Sequence, residues 1–365
     1  MKKFVALLLA TMMLMVVVAF ASAEDMRVAM ITDYGDITDQ SFNQTTYEAA
    51  KAWCDANGVE FTYYKPAGDS TAERVAMVEK ADDEGYNVIV MPGYAFGGTI
   101  AEVQGEYPEV KFVALDVSAG DLGGAEVGEN VYCAVYQEEL CGYMAGYATV
   151  KLGYKHLGFL GGMAVPAVVR YGYGFVQGAN DAANELGITK DVTVEYVYGN
   201  QFYGDADITA YMDNWYQTLG VEVVFACGGG IFTSAGEAAA KVSGAKVIGV
   251  DVDQAATIDA LYGEGLTVTS AMKGLAATVD TLLTAIKDGK WADYAGKIDN
   301  LGLVGNDPAS NYVQIAPSTQ FSDSFTVDDY AALVAKMFAG DVTVSNSIEA
   351  MPTVAITVND LGTVK

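Results

Sequence analysis

Short apolar runs alternate with longer stretches of helical periodicity along nearly the whole chain after residue 24. Runs at Arg27 to Thr32, Glu60 to Tyr64, Asn87 to Met91 and Val110 to Leu115 predict strands, and the stretches near 42–57, 71–84 and 97–106 predict helices between them. That alternation is the pattern of βαβ units around a parallel sheet. A loop rich in glycine and acid, Ser118 to Gly128, interrupts it. The rhythm resumes with strands near 130–135, 156–160, 192–198, 222–226 and 246–250, and helices near 137–152, 167–186, 205–219 and 232–242. A second α/β unit therefore follows the first. A strand at Leu266 to Ala271, an amphipathic helix from Lys273 to Asp288, strand-like runs near 298–304 and 311–316, and a helix at 327–339 complete the pattern.

Ahead of the first strand, Lys2 and Lys3 give a positive start, Phe4 to Phe20 is apolar apart from Thr11, and Ala21-Ser22-Ala23 supplies small residues for cleavage. Together these predict a secretory signal peptide over residues 1–23. The alternative is an uncleaved membrane anchor, since the apolar run approaches the roughly 20 residues of a spanning helix. No cysteine follows the run to take a lipid, so the expectation is an exported protein, periplasmic or extracellular, without a lipid anchor.

The remaining 342 residues exceed one ordinary core and point to two lobes. With Lys2 and Lys3 removed the balance is 18 basic against 47 acidic residues, or −29. So acidic a surface repels nucleic acid and anionic lipid. Cys54, Cys133, Cys141 and Cys227 are too few for a disulfide framework and lack metal-ligand spacing. They are expected as free buried thiols, with a Cys133–Cys141 bridge as the alternative. The lone histidine, His156, leads into a predicted strand at the end away from where ligands sit, so a surface or strand-edge place is expected for it. A histidine-rich metal site cannot be built, and no cofactor is implied.

Ligands of open parallel sheets bind outside the carboxyl ends of the strands. Those ends carry Asp33, Pro92 to Phe96, Asp116, Cys227 to Gly230, and Asp251 with Asp253. Each alone reads as a loop residue or helix cap; together they predict a hydrogen-bonding cleft. Ser41 with Gln44 forms a capping box that starts a helix near Phe42. Phe42, Thr46, Ala49, Ala50 and Trp53 then share one face, so Phe42 is either the top of a core stripe or an aromatic lip of the cleft, beside Asp33 and Asn43.

Asp33 with Asp39-Gln-Ser-Phe-Asn43 resembles the opening motif of the basic membrane protein family, the purine-nucleoside-receptor type of substrate-binding proteins for ABC importers. Further matches follow in order: Met91-Pro-Gly-Tyr-Ala-Phe-Gly97, Tyr107 to Asp116, Gly161 to Pro166 with Arg170-Tyr171 and Gly174-Phe175, Phe225 to Gly230, Gly249 to Gln254, and Thr269 to Lys273. The resemblance implies a type I periplasmic-binding-protein fold, two Rossmann-like lobes joined by a three-segment hinge. The implied lobes are 24–120 plus 272–300 and 121–271 plus 301–365.

It also implies a site. Phe42 would stack on a base with Tyr171, which stands where the family usually has phenylalanine, as the opposing ring. Asp33, Asn43 and Asp116 would meet polar edges, with Phe96 in the loop after strand three. Gly228 and Gly229 would let backbone approach the sugar, and Asp251 and Lys273 would grip its hydroxyls as acceptor and donor. The implied activity is capture of a nucleoside, most directly a purine nucleoside, by a monomer that delivers it to an ABC permease. A sugar or flavin-like ligand on the same scaffold is the alternative. A secreted hydrolase using two of the carboxylates Asp33, Asp36, Asp116 and Asp251, and a sensory ectodomain, are the rivals from other classes. The segment after Val344 extends past the family pattern and has no functional reading from sequence.

Overall fold

The computed structural model describes residues 26–364, so the signal-peptide reading of residues 1–23 lies outside the described residues. Six strands make a first sheet: β1 (Arg27–Ile31), β2 (Glu60–Tyr64), β3 (Val88–Pro92), β4 (Lys111–Leu115), β5 (Val131–Tyr136) and β11 (Lys297–Leu301). They lie in the order β2-β1-β3-β4-β5-β11, and every pairing is parallel. Helices α1 (Phe42–Asn57), α2 (Thr71–Asp83) and α3 (Phe96–Val103) connect the first four strands, as right-handed crossover logic requires of a parallel sheet.

The second sheet holds β6 (His156–Gly161), β7 (Thr193–Tyr198), β8 (Val223–Cys227), β9 (Lys246–Asp251), β10 (Thr267–Lys273), β12 (Val313–Ile315) and β13 (Thr357–Thr363). Its order is β12-β10-β9-β8-β6-β7-β13, with only β12 antiparallel. Helices α4 (Glu138–Lys151), α5 (Pro166–Leu186), α6 (Ala206–Asn214), α7 (Phe232–Ala239) and α8 (Ala255–Tyr262) belong to this lobe. The chain crosses between lobes three times: at Gln137 after β5, at Gly274 after β10, and between β11 and β12. Helix α9 (Leu275–Lys287) returns to the first lobe and packs on α1, where Trp53 Nε1 donates to Thr284 Oγ1 at 2.9 Å.

One apolar core runs through the crossings, from Val28 and Trp53 in the first lobe past Tyr136 and Leu275 to Tyr171 and Phe225 in the second. Each lobe has a separate core on its other face, around Ile89 and Phe112 in one and around Leu160 and Trp215 in the other. The shared core is what keeps the hinge segments from behaving as loose linkers.

Several boundaries differ from the sequence expectation. Residues 131–136, placed in the second lobe by a division at 120/121, pair with β4 in the first sheet, because an apolar run beside β4 completes that sheet before the crossing. Lys273 ends a strand rather than heading a helix; its aliphatic stem continues the buried face of β10. The expected helix at 205–219 ends at Asn214 and finishes in a π-helical turn, Trp215–Leu219, closed by left-handed Gly220. Helix α8 has no counterpart in the sequence expectation. The segment beyond α10 (Val327–Ala339) crosses α5, where Gln177 Nε2 donates to the Ser345 carbonyl and Asn180 Oδ1 accepts from Ala355 N–H, and then adds β13 to the edge at β7. All four cysteines are free and buried.

Helices α4 and α5 touch backbone to backbone through four glycines. A Cβ on Gly142 or Gly146 would lie 2.2 Å from the Tyr171 carbonyl oxygen or 2.1 Å from that of Phe175. On Gly174 or Gly178 it would lie 2.1 Å from the Glu139 carbonyl oxygen or 2.0 Å from that of Tyr143. Only a residue without Cβ permits that approach. Gly174→Ala is expected to lower unfolding free energy by about 1–3 kcal/mol or more through overpacking. Gly105→Ala, where a Cβ meets nothing within 4 Å, serves as the control. Equal urea midpoints for the two variants would contradict the packing argument.

Candidate functional site

The loop after β1 is organised by two aspartates. Asp33 Oδ1 accepts from the N–H groups of Tyr34 and Gly35, at 2.6 and 2.7 Å. Asp39 accepts from the N–H groups of Ser41, Asn43 and Gln44, at 2.9, 2.9 and 3.0 Å, and so satisfies the first turn of α1. The expected Ser41–Gln44 capping box does not form. A carboxylate outcompetes a hydroxyl for those donors, while Gln44 Oε1 accepts from Gln40 N–H instead. Ser41 is thereby freed, and its hydroxyl donates across the cleft to Asp251 Oδ2 at 2.7 Å.

Asp116 ends the β4 run and Asp251 ends β9. Both adopt left-handed backbone, with φ of 61° and 66°, which L side chains rarely take outside asparagine and aspartate. Between them lies Lys273 at the end of β10. Its ammonium donates to Asp116 Oδ2 at 2.6 Å and to Glu138 Oε1 at 3.4 Å, and stands 3.8 Å from Asp251 Oδ1. The rings of Phe42, Tyr136 and Tyr171 surround the same ammonium, with centroids at 4.8, 5.4 and 5.7 Å. Burial works to lower the Lys273 pKa, but Asp116, Glu138 and Asp251 more than offset it and hold the amine above the usual lysine range.

A cavity of about 630 Å³ opens between the lobes. Nine of the ten residues expected at a site line it: Asp33, Phe42, Asn43, Asp116, Tyr171, Gly228, Gly229, Asp251 and Lys273. Phe96 does not. It begins α3 with its ring wholly buried in the first-lobe core, 5.9 Å beneath the Arg74 guanidinium, and Tyr94 takes the place at the wall. Gly228 is packed where a Cβ would come 2.9 Å from the Gly162 Cα, and Gly229 needs its φ of +53°. Tyr171 is buried, with its hydroxyl 3.3 Å from Asp251 Oδ1.

Sequence reasoning missed the outer wall. Tyr34 and Phe202 stack across the cleft with centroids 6.3 Å apart and planes at 26°, and the Tyr34 hydroxyl reaches Met163 sulfur at 3.7 Å. Phe202 follows the carboxyl end of β7, so the strand-end rule that found Asp33 could have found it. Glu138, wholly buried at the start of α4, stands two residues past the carboxyl end of β5 and was within reach of the same rule. The second lobe also meets the first through Gln254 Nε2, which donates to the Gln40 carbonyl at 2.9 Å.

Two buried acceptors on cavity-lining residues have no protein partner. Asn43 gives its amide N–H to Asp39, leaving Oδ1 buried with no protein partner, and Asp116 Oδ1 is likewise unpaired. Burial raises Asp33 to about 6 against its backbone donors, and raises Asp116 to about 6 against Lys273. His156 is not at the cavity; it starts β6, with Nε2 3.0 Å from Glu195 Oε1. Among the described residues no group of histidine, cysteine and carboxylate side chains could hold a metal, and no helix is long and apolar enough to cross a membrane.

Two parallel-sheet lobes crossed three times, with a polar cleft at the strand ends, define a type I periplasmic-binding-protein fold. Solved solute-binding proteins of ABC transporters agree. One from Conexibacter woesei superposes with a TM-score of 0.66 at 21% identity, over 88% of this chain and 99% of that one. One from Aeropyrum pernix gives 0.65 at 20% identity, over 88% and 87%. The family model for PnrA-like ABC transporter substrate-binding proteins matches residues 26–311, and the chain belongs to that family. Similar relatives include the ABC transporter nucleoside-binding protein BmpA of Lactococcus lactis, 26% identical over 73% of this chain and 76% of that protein. Basic membrane protein B of Borreliella burgdorferi is 26% identical over 64% and 67%. The protein is thus an ABC transporter substrate-binding protein and not an enzyme.

The raised carboxylates make a pH prediction for the ligand-free protein. With the folded pKa of Asp33 near 6 and the ordinary value near 3.8, the folded state holds its proton longer than the unfolded state. Stability from this group is complete below about pH 4 and is lost as pH rises through about 6. Asp33→Asn should therefore flatten the fall in unfolding free energy between those values, by on the order of 2 kcal/mol. An unchanged pH profile of urea unfolding would show that Asp33 does not titrate in this way.

Proposed function

We propose that the chain captures a nucleoside, most directly a purine nucleoside, between its lobes and delivers it to the permease of an ABC importer. The observation that carries this reading is the combination, on the wall of one cavity, of aromatic residues with residues that hold unpaired buried acceptors. Phe42 and Tyr171 offer rings, and base–aromatic stacking is worth roughly 1–3 kcal/mol per base where it has been measured in nucleic-acid systems. Asn43 Oδ1 and Asp116 Oδ1 ask for donors, which base N–H groups and sugar hydroxyls supply. An acceptor that a wrong ligand leaves unmet costs more than a matched one gains, so these positions set specificity. The name of the Lactococcus relative is consistent with the same ligand class.

In this reading Asp251 is both a ligand acceptor and the partner of Ser41, so it senses ligand and closure together. The test is a panel of purified nucleosides and sugars, followed by melting temperature and by chromatography for free base. A raised melting temperature with no base released supports capture. Release of base would overturn it in favour of hydrolysis, and a response to sugars alone would overturn the nucleoside reading.

Phe42→Ala should weaken nucleoside binding by about 10- to 100-fold, the equivalent of one stacking face, with the fold retained. Asp251→Asn should weaken it comparably by exchanging an acceptor oxygen for a donor. Calorimetric affinities within twofold of the parent would return either residue to a packing role.

A further inference from the structure

Arg170 lies in the first turns of α5 and lines the cavity, yet neither the stacking pair nor the carboxylates give it a task. Its Nε donates to Glu138 Oε2 at 2.6 Å. Its two terminal amino groups make no hydrogen bond to the protein among the described residues, and the side chain keeps 19% of its exposure. Lys273 is the opposite case. Its side chain is 3% exposed, and its protons are directed to Asp116 and Glu138, with Asp251 close by. The cavity's unspent cationic donor is therefore Arg170, not Lys273.

Glu138 is wholly buried and gives one oxygen to each cation. It fixes the guanidinium by a charge-assisted bond and cancels its charge. Apart from Lys273, the wall's other charged residues are acidic: Asp33, Asp36, Asp39, Asp116, Asp121 and Asp251. A guanidinium so neutralised, in such a wall, is a directed hydrogen-bond donor and a poor anchor for an anion. Phosphate recognition needs the reverse, an excess of positive charge.

Resting on the nucleoside reading above, we infer that Arg170 contacts the ligand, its terminal amino groups donating to an uncharged oxygen or ring nitrogen. Glu138 is the positioning residue that aims it and keeps its net charge low. The pair makes the site accept a nucleoside and reject the phosphate ester of the same nucleoside.

Calorimetry with adenosine and guanosine, each beside its 5′-monophosphate, tests this on the full mature chain. The parent should bind a nucleoside and bind its monophosphate at least ~100-fold more weakly, and Arg170→Met should lose ~10-fold or more in nucleoside affinity, as expected for a lost hydrogen bond to a charged group. Arg170→Lys should lie between. Glu138→Gln should weaken nucleoside binding and also narrow the nucleoside-to-monophosphate ratio, whereas a purely structural defect would lower both affinities together. Melting curves establish that each variant is folded; if Glu138→Gln is not, the Arg170 series decides alone. Nucleoside binding by Arg170→Met within twofold of the parent, or equal parental affinity for nucleoside and monophosphate, would overturn the inference while leaving the nucleoside reading intact. A parent protein that binds no nucleoside would overturn both.

Discussion

A single buried ammonium organises this cleft. Placing the Lys273 charge out of water costs several kcal/mol unless well-oriented carboxylates compensate it. The three that do so come from the end of β4, the first turn of α4 and the end of β9. One belongs to the first lobe, one stands just past the first crossing, and one belongs to the second lobe. The cation is compensated only when both lobes and the hinge are in register. Asp116 and Asp251, two of these three, both hold left-handed backbone. Strain of that kind costs on the order of 1–3 kcal/mol per residue and persists only where the surroundings hold it.

The exchange of helix caps at α1 belongs to this arrangement. Asp39 satisfies the first turn, so the Ser41 hydroxyl is free to reach Asp251, and beside it the Gln40 carbonyl accepts from Gln254. A local rule about helix starts gives way to a contact between residues 210 positions apart. The glycine contacts between α4 and α5 act similarly at longer range. They bring the start of α5, with Arg170 and Tyr171, close enough to α4 for Glu138 and Lys273 to reach them.

What could be read from sequence follows from how local each cause is. Strand ends in a parallel sheet place side chains at one rim whatever the rest of the chain does, so Asp33, Asp116, Gly229 and Asp251 were legible. The helix over 42–57 was legible in its bounds but not in its cap, because the competition between Asp39 and Ser41 is settled by a partner in the other lobe. Phe96 failed as a wall residue because a helix start can aim its first ring at the core or at the cleft, and spacing does not say which. The contacts of Glu138 and the free amino groups of Arg170 depend on three elements meeting, and no window of sequence contains that. The family match stops at residue 311, and β13 lies beyond it. Its largely exposed residues lack the alternation by which a half-buried strand is recognised.

In the proposed function, closure and recognition are linked energetically. With the lobes together, Asn43 Oδ1 and Asp116 Oδ1 are walled off from bulk water and unmet by protein, at roughly 1–3 kcal/mol each. The bridges that span the cleft, Ser41 to Asp251, Gln254 to Gln40 and the Tyr34–Phe202 stack, offset part of that cost but none of them reaches those two atoms. A trapped water or a ligand donor has to supply the remainder. A ligand that brings donors to both acceptors and a flat face to Phe42 stabilises the closed form by more than its own contacts, since it also removes the penalty closure would otherwise carry. On the proposed reading, the same two oxygens would bear both on which ligand is held and on when the lobes stay shut.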